Sequence, residues 1–307
     1  MVPGLRAGAE DAVMSTRRSF FQQAGVGLAA AAGVPALLAG ATRVRAAAPA
    51  GGARETFRIG IAGYSFFKFK IEPALEMLKK VDVRFLCIKD FHLSLASTDA
   101  EIAAFHAKLK SFDVTGYAVG PVYMGSEKAV DEAFDYAKRV GVKLIVGVPH
   151  GESGKKKVES PELIKYVEGK VKAYDMKYAI HNHGPDNLPY ANAEAIMGYI
   201  EDLDPRMGMC LDIGHELRTG VCPIASMEKY AARVHDIHVK NVTAADKSGT
   251  GIEMPRGLID IPAFVRVLRK VGYAGMCSLE YEKDAESPLA GIAESVGYFR
   301  GVVDATR

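Results

Sequence analysis

The sequence predicts an α/β fold, a single (β/α)8 barrel, and three observations carry that reading. Short apolar runs alternate with longer amphipathic segments eight times between Phe57 and Val303. The apolar runs are nearly continuous, the pattern of parallel strands covered on both faces. An open doubly wound sheet is the rival, but no Gly-rich phosphate turn follows the first strand, where Gly60 and Gly63 make no such motif.

In chain order the strand candidates are Phe57–Ala62, Phe85–Ile88, Thr115–Gly120, Leu144–Val148, Lys177–Ile180, Met207–Leu211, Val234–Val239 and Met276–Leu279. The helix candidates between and after them are Glu72–Val81, Glu101–Phe112, Lys128–Val140, Pro161–Tyr174, Ala193–Glu201, Ile224–Tyr230, Pro262–Val271 and Leu289–Val303. In Lys128–Val140 the apolar Ala129, Val130, Ala133, Phe134, Ala137 and Val140 recur at three- and four-residue intervals, which lines one helical face. Gly141 is free to adopt positive φ and stops that helix. Asp260 is the expected N-cap of the seventh helix.

Residues 1–50 are expected to form a separate export segment, with the barrel over 51–307. Ser15-Thr16-Arg17-Arg18-Ser19-Phe20-Phe21 is a twin-arginine signature, followed by an Ala- and Gly-rich apolar run from Ala24 to Gly40. Arg43, Arg45 and the small residues from Ala46 to Gly51 complete a cleavable signal. That run, about 17 residues and weakly hydrophobic, is short for a membrane span. The expectation is a periplasmic or otherwise exported protein that meets the twin-arginine machinery in transit and is not stably inserted in a membrane.

The remaining length, about 255 residues, suits one barrel. A formal net charge of +2 and the absence of a basic block with interleaved aromatics argue against a nucleic-acid partner. Lys155-Lys156-Lys157 reads as a surface charge run. Cys87, Cys210, Cys222 and Cys277 have no framework or zinc-ribbon spacing, and three of them lie in strand patterns as small hydrophobes, so no disulfide is expected.

Chemistry in such a barrel belongs at the C-terminal strand ends. Four strands end in a metal-competent side chain: Ile180 leads into His181, Leu211 into Asp212, Ile237 into His238 and Leu279 into Glu280. Imidazole and carboxylate donors together suit one divalent ion, such as Mn, Co, Zn, Fe or Mg. Other polar residues at these ends are Tyr64, Lys89, Tyr123, His150, Glu152, His183, His215, Lys240 and Glu282. Strand alternation would let His181 and His183 share a face, unless the turn at Gly184-Pro185 breaks it.

Ile180-His181-Asn182-His183, Leu211-Asp212-Ile213-Gly214-His215, His235-Asp236-Ile237-His238-Val239-Lys240 and Ser278-Leu279-Glu280-Tyr281 resemble the xylose isomerase-like TIM barrels, the sugar phosphate isomerase/epimerase group. The resemblance covers about Arg58 to Val303. It implies a metal held by Asp212, His238, Glu280 and a fifth-strand ligand. That ligand is usually Glu in the family, and here His181 stands in its place.

The resemblance also implies an enzyme acting on a small carbohydrate through an enediolate. Glu280 is the expected catalytic base, with His181 or His183 returning the proton and Lys240 neutralising developing charge. His150, Glu152, His215, Lys89 and Arg256 are the expected substrate contacts. Two other outcomes stay open. A lyase would eliminate the aglycone of a 3-keto-glycoside with one base, consistent with the missing glutamate. A non-catalytic metal- or sugar-binding barrel would need neither.

Overall fold

The computed structural model describes residues 57–186 and 188–307, so the export signal expected over 1–50 lies outside the described residues. The first six strands are β1 (Arg58–Ala62), β2 (Phe85–Ile88), β3 (Thr115–Met124), β4 (Leu144–Ser153), β5 (Lys156–Glu159) and β6 (Lys177–His181). They are followed by β7 (Met207–Asp212), β8 (Val234–Val239), β9 (Asn241–Val242), β10 (Gly251–Ile252) and β11 (Met276–Leu279). The helices are α1 (Ile71–Lys80), α2 (Asp99–Ser111), α3 (Glu127–Val140), α4 (Pro161–Tyr174), α5 (Ala193–Ile200), α6 (Ile213–Arg218), α7 (Pro223–Tyr230), α8 (Ile261–Lys270) and α9 (Leu289–Ala305).

Hydrogen-bonded neighbours run β3-β2-β1-β11-β8-β7-β6-β4, and β3 pairs with β4 to close the ring. Every pairing in that ring is parallel. The result is the single eight-stranded parallel (β/α)8 TIM barrel that the alternation of runs predicts. Among the described residues no helix is long and apolar enough to cross a membrane.

Local chemistry sets the helix limits. Ser126 caps α3 by accepting the Ala129 N–H at 3.2 Å, and Gly141 ends it at φ 78°. Asp260 caps α8 by accepting the Ala263 N–H at 2.8 Å. Thr98 and Glu101 form a reciprocal capping box at the start of α2. Each such cap contributes about 1 kcal/mol. The helices bury their apolar stripe against the outside of the barrel, where Leu75, Phe134 and Phe264 are completely enclosed. Truncating Phe134 to Ala would cost about 3–5 kcal/mol.

Two strands outrun their expected ends by more than one residue, for identifiable reasons. β3 continues past Gly120-Pro121 to Met124, and its register against β4 shifts between Val119 and Val122. An irregularity of this kind tolerates a proline, which cannot donate to the ladder. β4 continues into an antiparallel hairpin with β5, pairing Glu152 with Lys157. The lysine run thus supplies a hairpin arm as well as surface charge.

The barrel interior is unusually polar. The Tyr117 hydroxyl donates to Asp236 Oδ2 at 2.9 Å and lies 2.6 Å from Ser278 Oγ. Asp236 is fully enclosed, and burial pushes its carboxyl up to about 6. Cys87, Cys210 and Cys277 are buried free thiols, and Cys222 is an exposed one.

Candidate metal centre and pocket

Parallel strands in register bring their C-terminal ends to one rim. His181 is the last residue of β6 and Asp212 the last of β7. His238 lies one residue short of the end of β8, and Glu280 directly follows β11. All four are buried. One donor atom from each lies within 4.8 Å of every other. His181 Nε2 is 3.2 Å from His238 Nδ1 and 3.8 Å from Asp212 Oδ2. His238 Nδ1 is 3.5 Å from Glu280 Oε1 and 4.0 Å from Asp212 Oδ2.

These spacings can be tested against a cation. Neighbouring donors each about 2.1 Å from one centre stand roughly 3.0–3.5 Å apart. The observed distances lie at or slightly beyond that range. Asp212 Oδ2 is buried and makes no hydrogen bond; the Lys240 ammonium, 3.4 Å away, is the cation that faces it, and its remaining lone pairs are free for an ion. The residues therefore fit one divalent ion, and the mixed nitrogen and oxygen set suits Zn, Mn, Co or Fe.

His183 does not join this cluster. β6 ends at His181, the chain turns at Gly184-Pro185, and the His183 ring lies over His215 with centroids 3.8 Å apart. Its Nδ1 is 3.4 Å from Asp186 Oδ2. His181 is thus the β6 donor, and His183 is part of a pocket wall. Burial lowers the pKa of both, so both imidazoles are neutral near pH 7.

Lys240, just past β8, projects into the same rim. Its Nζ is 2.7 Å from Glu282 Oε2, 2.8 Å from Glu280 Oε2, 3.2 Å from His215 Nε2 and 3.4 Å from Asp212 Oδ2. Burial opposes its charge, but Asp212, Glu280 and Glu282 outweigh that and hold it well above the usual lysine range. Burial likewise works against the Glu280 anion, yet Lys240 and His238 keep its carboxyl well below its ordinary value. The glycine of the Asp-x-Gly-His motif makes room for this lysine: a Cβ at Gly214 would stand 2.8 Å from Lys240 Cγ.

A cavity of about 240 Å³ opens beside the cluster, lined by His181, His183, Glu280 and Glu282 together with Tyr64, Lys89, Tyr123 and Leu188. Lys89 thereby reaches the site, its Nζ 2.6 Å from Asp90 Oδ1. His215 stands at the rim against His183 and Lys240 without lining the cavity, and the other three expected contacts fall elsewhere. His150 is buried beside Tyr123, ring centroids 6.3 Å apart, and is not among the lining residues. Glu152 is exposed on the β4–β5 hairpin. Arg256 is exposed and bound through two nitrogens to Glu294, at 2.8 and 2.6 Å, away from the cavity.

A supporting network lies behind the donors. Glu216 is fully enclosed and accepts from Ser226 Oγ at 2.6 Å, the Ala193 N–H at 2.9 Å and Asn182 Nδ2 at 3.3 Å. Burial pushes its carboxyl up to about 7. The sequence reading assigns no role to Glu216 or Ser226, and names Glu282 at a strand end without placing it in the site. Spacing holds a weak signal for Glu216, four residues after Asp212 and so on the same helical face; Ser226 carries none.

A closed parallel barrel with imidazoles, carboxylates and a lysine gathered at one rim defines a class of metal-competent (β/α)8 proteins. The chain belongs to the xylose isomerase-like TIM barrel family, whose model matches residues 83–302. Among solved structures it is similar to a xylose isomerase domain protein from Planctomyces limnophilus, with 17% identity over 83% of this chain and 99% of that one and a TM-score of 0.63. It is also similar to a sugar phosphate isomerase/epimerase from Parabacteroides distasonis, with 15% identity over 82% and 97% of the two chains and a TM-score of 0.58. A third likeness is to the probable 3-DHS dehydratase AsbF of Bacillus anthracis, with 13% identity over 80% and 99% and a TM-score of 0.62. At these identities the likenesses speak for the fold. No curated protein matches the sequence.

Proposed function

We propose that the protein is a divalent-metal-dependent enzyme of the sugar isomerase/epimerase type, working through an enediolate on a non-phosphorylated sugar or keto-sugar. The observation that carries this reading is the convergence of His181, Asp212, His238 and Glu280 beside a cavity walled by His183 and Glu280. A bound divalent ion would supply Lewis acidity, drawing electron density from a carbonyl and its neighbouring hydroxyl so that the α-proton becomes removable.

The chain supplies the proton transfers. Glu280, held as a carboxylate, takes the α-proton. His183, neutral at rest, stands just past the end of β6, three places round the ring from β11, and returns a proton from another wall after taking one up from solvent. Lys240, buried behind the cavity wall, acts through Glu280, whose carboxylate it holds at 2.8 Å. Lys89 is the one lysine or arginine among the described lining residues, and Asp90 already engages it, which favours an uncharged sugar over a phosphate ester. The twin-arginine signature Ser15–Phe21 favours an exported enzyme, which also suits such a substrate.

A second reading, aglycone elimination from a 3-keto-glycoside, has its own support. Tyr64, which lines the cavity, stacks on Phe67 at 5.3 Å and stands 6.4 Å from Phe91, and all three are exposed. Such an aromatic rim suits a planar leaving group, and an imidazole in place of the second glutamate suits a one-base reaction. The deciding experiment loads the protein with Mn²⁺ and follows a 3-keto aryl glycoside in D₂O by NMR. Deuterium at the carbon beside the ketone with the glycosidic bond intact supports the isomerase or epimerase. Release of the phenol supports the lyase. Neither, in a protein that binds the ion stoichiometrically, would leave only a binding barrel.

A further inference from the structure

The cage around Lys240 has the composition of a second cation site. One ring nitrogen of His215, one carboxylate oxygen of Glu280 and one of Glu282 all lie within 4.8 Å of one another, a spacing that a metal ion could bridge. The ammonium stands among these donors, 3.2, 2.8 and 2.7 Å from them. We propose that the Lys240 ammonium stands in for a second divalent ion and keeps the centre mononuclear.

Three features support this. The Glu280 carboxylate is divided between the two positions: Oε1 faces His238 Nδ1 at 3.5 Å, and Oε2 faces Lys240 at 2.8 Å. A carboxylate shared in that way is the bridge of two-ion sites, whose ions stand about 3.5–4 Å apart. The charges also close. One divalent ion and one ammonium balance the carboxylates of Asp212, Glu280 and Glu282, whereas two divalent ions added to the lysine would leave the rim doubly positive. Finally, Gly214 is the residue type that lets the lysine stem pass, since a Cβ there would meet Lys240 Cβ, Cγ and Cδ at 3.1, 2.8 and 3.0 Å. The backbone is thus shaped to deliver this particular cation.

The inference rests on the reading of His181, Asp212, His238 and Glu280 as a divalent-ion site, and the test separates the two. Full-length protein and the Lys240→Ala variant are titrated with Mn²⁺ alone. Stoichiometry is read by equilibrium dialysis and ion coupling by electron paramagnetic resonance. The expected result is one uncoupled Mn²⁺ per chain for the native protein and two exchange-coupled ions for Lys240→Ala. Lys240→Arg, which restores a cation, is expected to return the count to one. One ion in both the native protein and Lys240→Ala, or two in the native protein, overturns the proposal while leaving the metal reading intact. No ion in the native protein overturns both. Should Lys240→Ala fail to fold, Lys240→Gln keeps the stem without the charge. Two coupled ions are again expected, and a single ion there overturns the proposal.

Discussion

The side-chain amide of Asn182 docks on both backbone polar groups of Asp212, accepting its N–H through Oδ1 at 2.7 Å and donating Nδ2 to its carbonyl at 3.1 Å. Asn182 lies between His181, which ends β6, and His183, and its Nδ2 also reaches Glu216. The amide therefore ties the end of β6 to the end of β7 where strand pairing stops, and fixes the spacing of His181 and Asp212.

Removing that clamp is expected to loosen the centre. Asn182→Ala leaves buried polar groups without partners, a loss of about 1–3 kcal/mol each. Divalent-ion affinity should fall roughly 10- to 100-fold, as for other residues that orient ligands. Chemical denaturation and isothermal titration with Mn²⁺ measure the two effects. An unchanged affinity would show that Asp212 is positioned without its amide partner.

Metal loading is expected to stabilise the native protein. An ion at one hundred times its dissociation constant contributes about 2.7 kcal/mol, a rise in Tm of roughly 5–10 °C for a domain of this size. Asp212→Asn keeps a side-chain oxygen for the helix cap but removes the anion, so the metal-induced shift should vanish. Thermal melts with Mn²⁺ and with a chelator, on both proteins, provide the check.

Glu216 predicts a pH dependence of stability. Its carboxyl is raised to about 7 by burial, against an ordinary value of about 4.5. The folded state therefore binds this proton more tightly than the unfolded state. That contribution is fully present below about pH 4.5 and is lost as pH rises through about 7, by at most about 3 kcal/mol. Glu216→Gln cannot titrate, so the stability difference between native and variant protein should drift over that window. Denaturation midpoints at pH 4.5, 6 and 8 test it, and parallel curves would mean that the hydrogen bonds from Ser226 and Ala193 keep the carboxylate charged throughout.

Phe91 and Arg256 should respond oppositely. If the aromatic rim seats an aglycone, Phe91→Ala raises KM for an aryl glycoside roughly two- to tenfold, the worth of an aromatic contact, and leaves a glycoside with a small alkyl aglycone unaffected. Arg256 serves Glu294 on α9 rather than the cavity. Arg256→Ala should therefore change stability by less than about 1 kcal/mol and leave turnover alone.

Much of this was legible in the chain because parallel strands are locally written. Each apolar run announces its own end, and in a closed barrel all ends share a rim, so His181, Asp212, His238 and Glu280 could be gathered by eye. Arg256 resisted because it lies beyond a strand end, in a loop where the partner of its side chain, Glu294, stands 38 residues away. His150 and Glu152 resisted because β4 does not stop where its apolar run does. The chain goes on into a hairpin that carries Glu152 outward. The helix α6 escaped notice because six residues hold too little periodicity to declare it. Its start is written in Asp212, a residue that the strand-end pattern assigns to the metal cluster.

That double use of Asp212 has a consequence for coordination chemistry. Oδ1 accepts the His215 N–H at 2.8 Å and begins α6, leaving Oδ2 as the oxygen turned to the other donors. An ion held here would meet Oδ2, the oxygen that the helix cap leaves without a hydrogen bond. The oxygen that Asp212 would present to an ion is thus chosen by a backbone amide three residues along the chain.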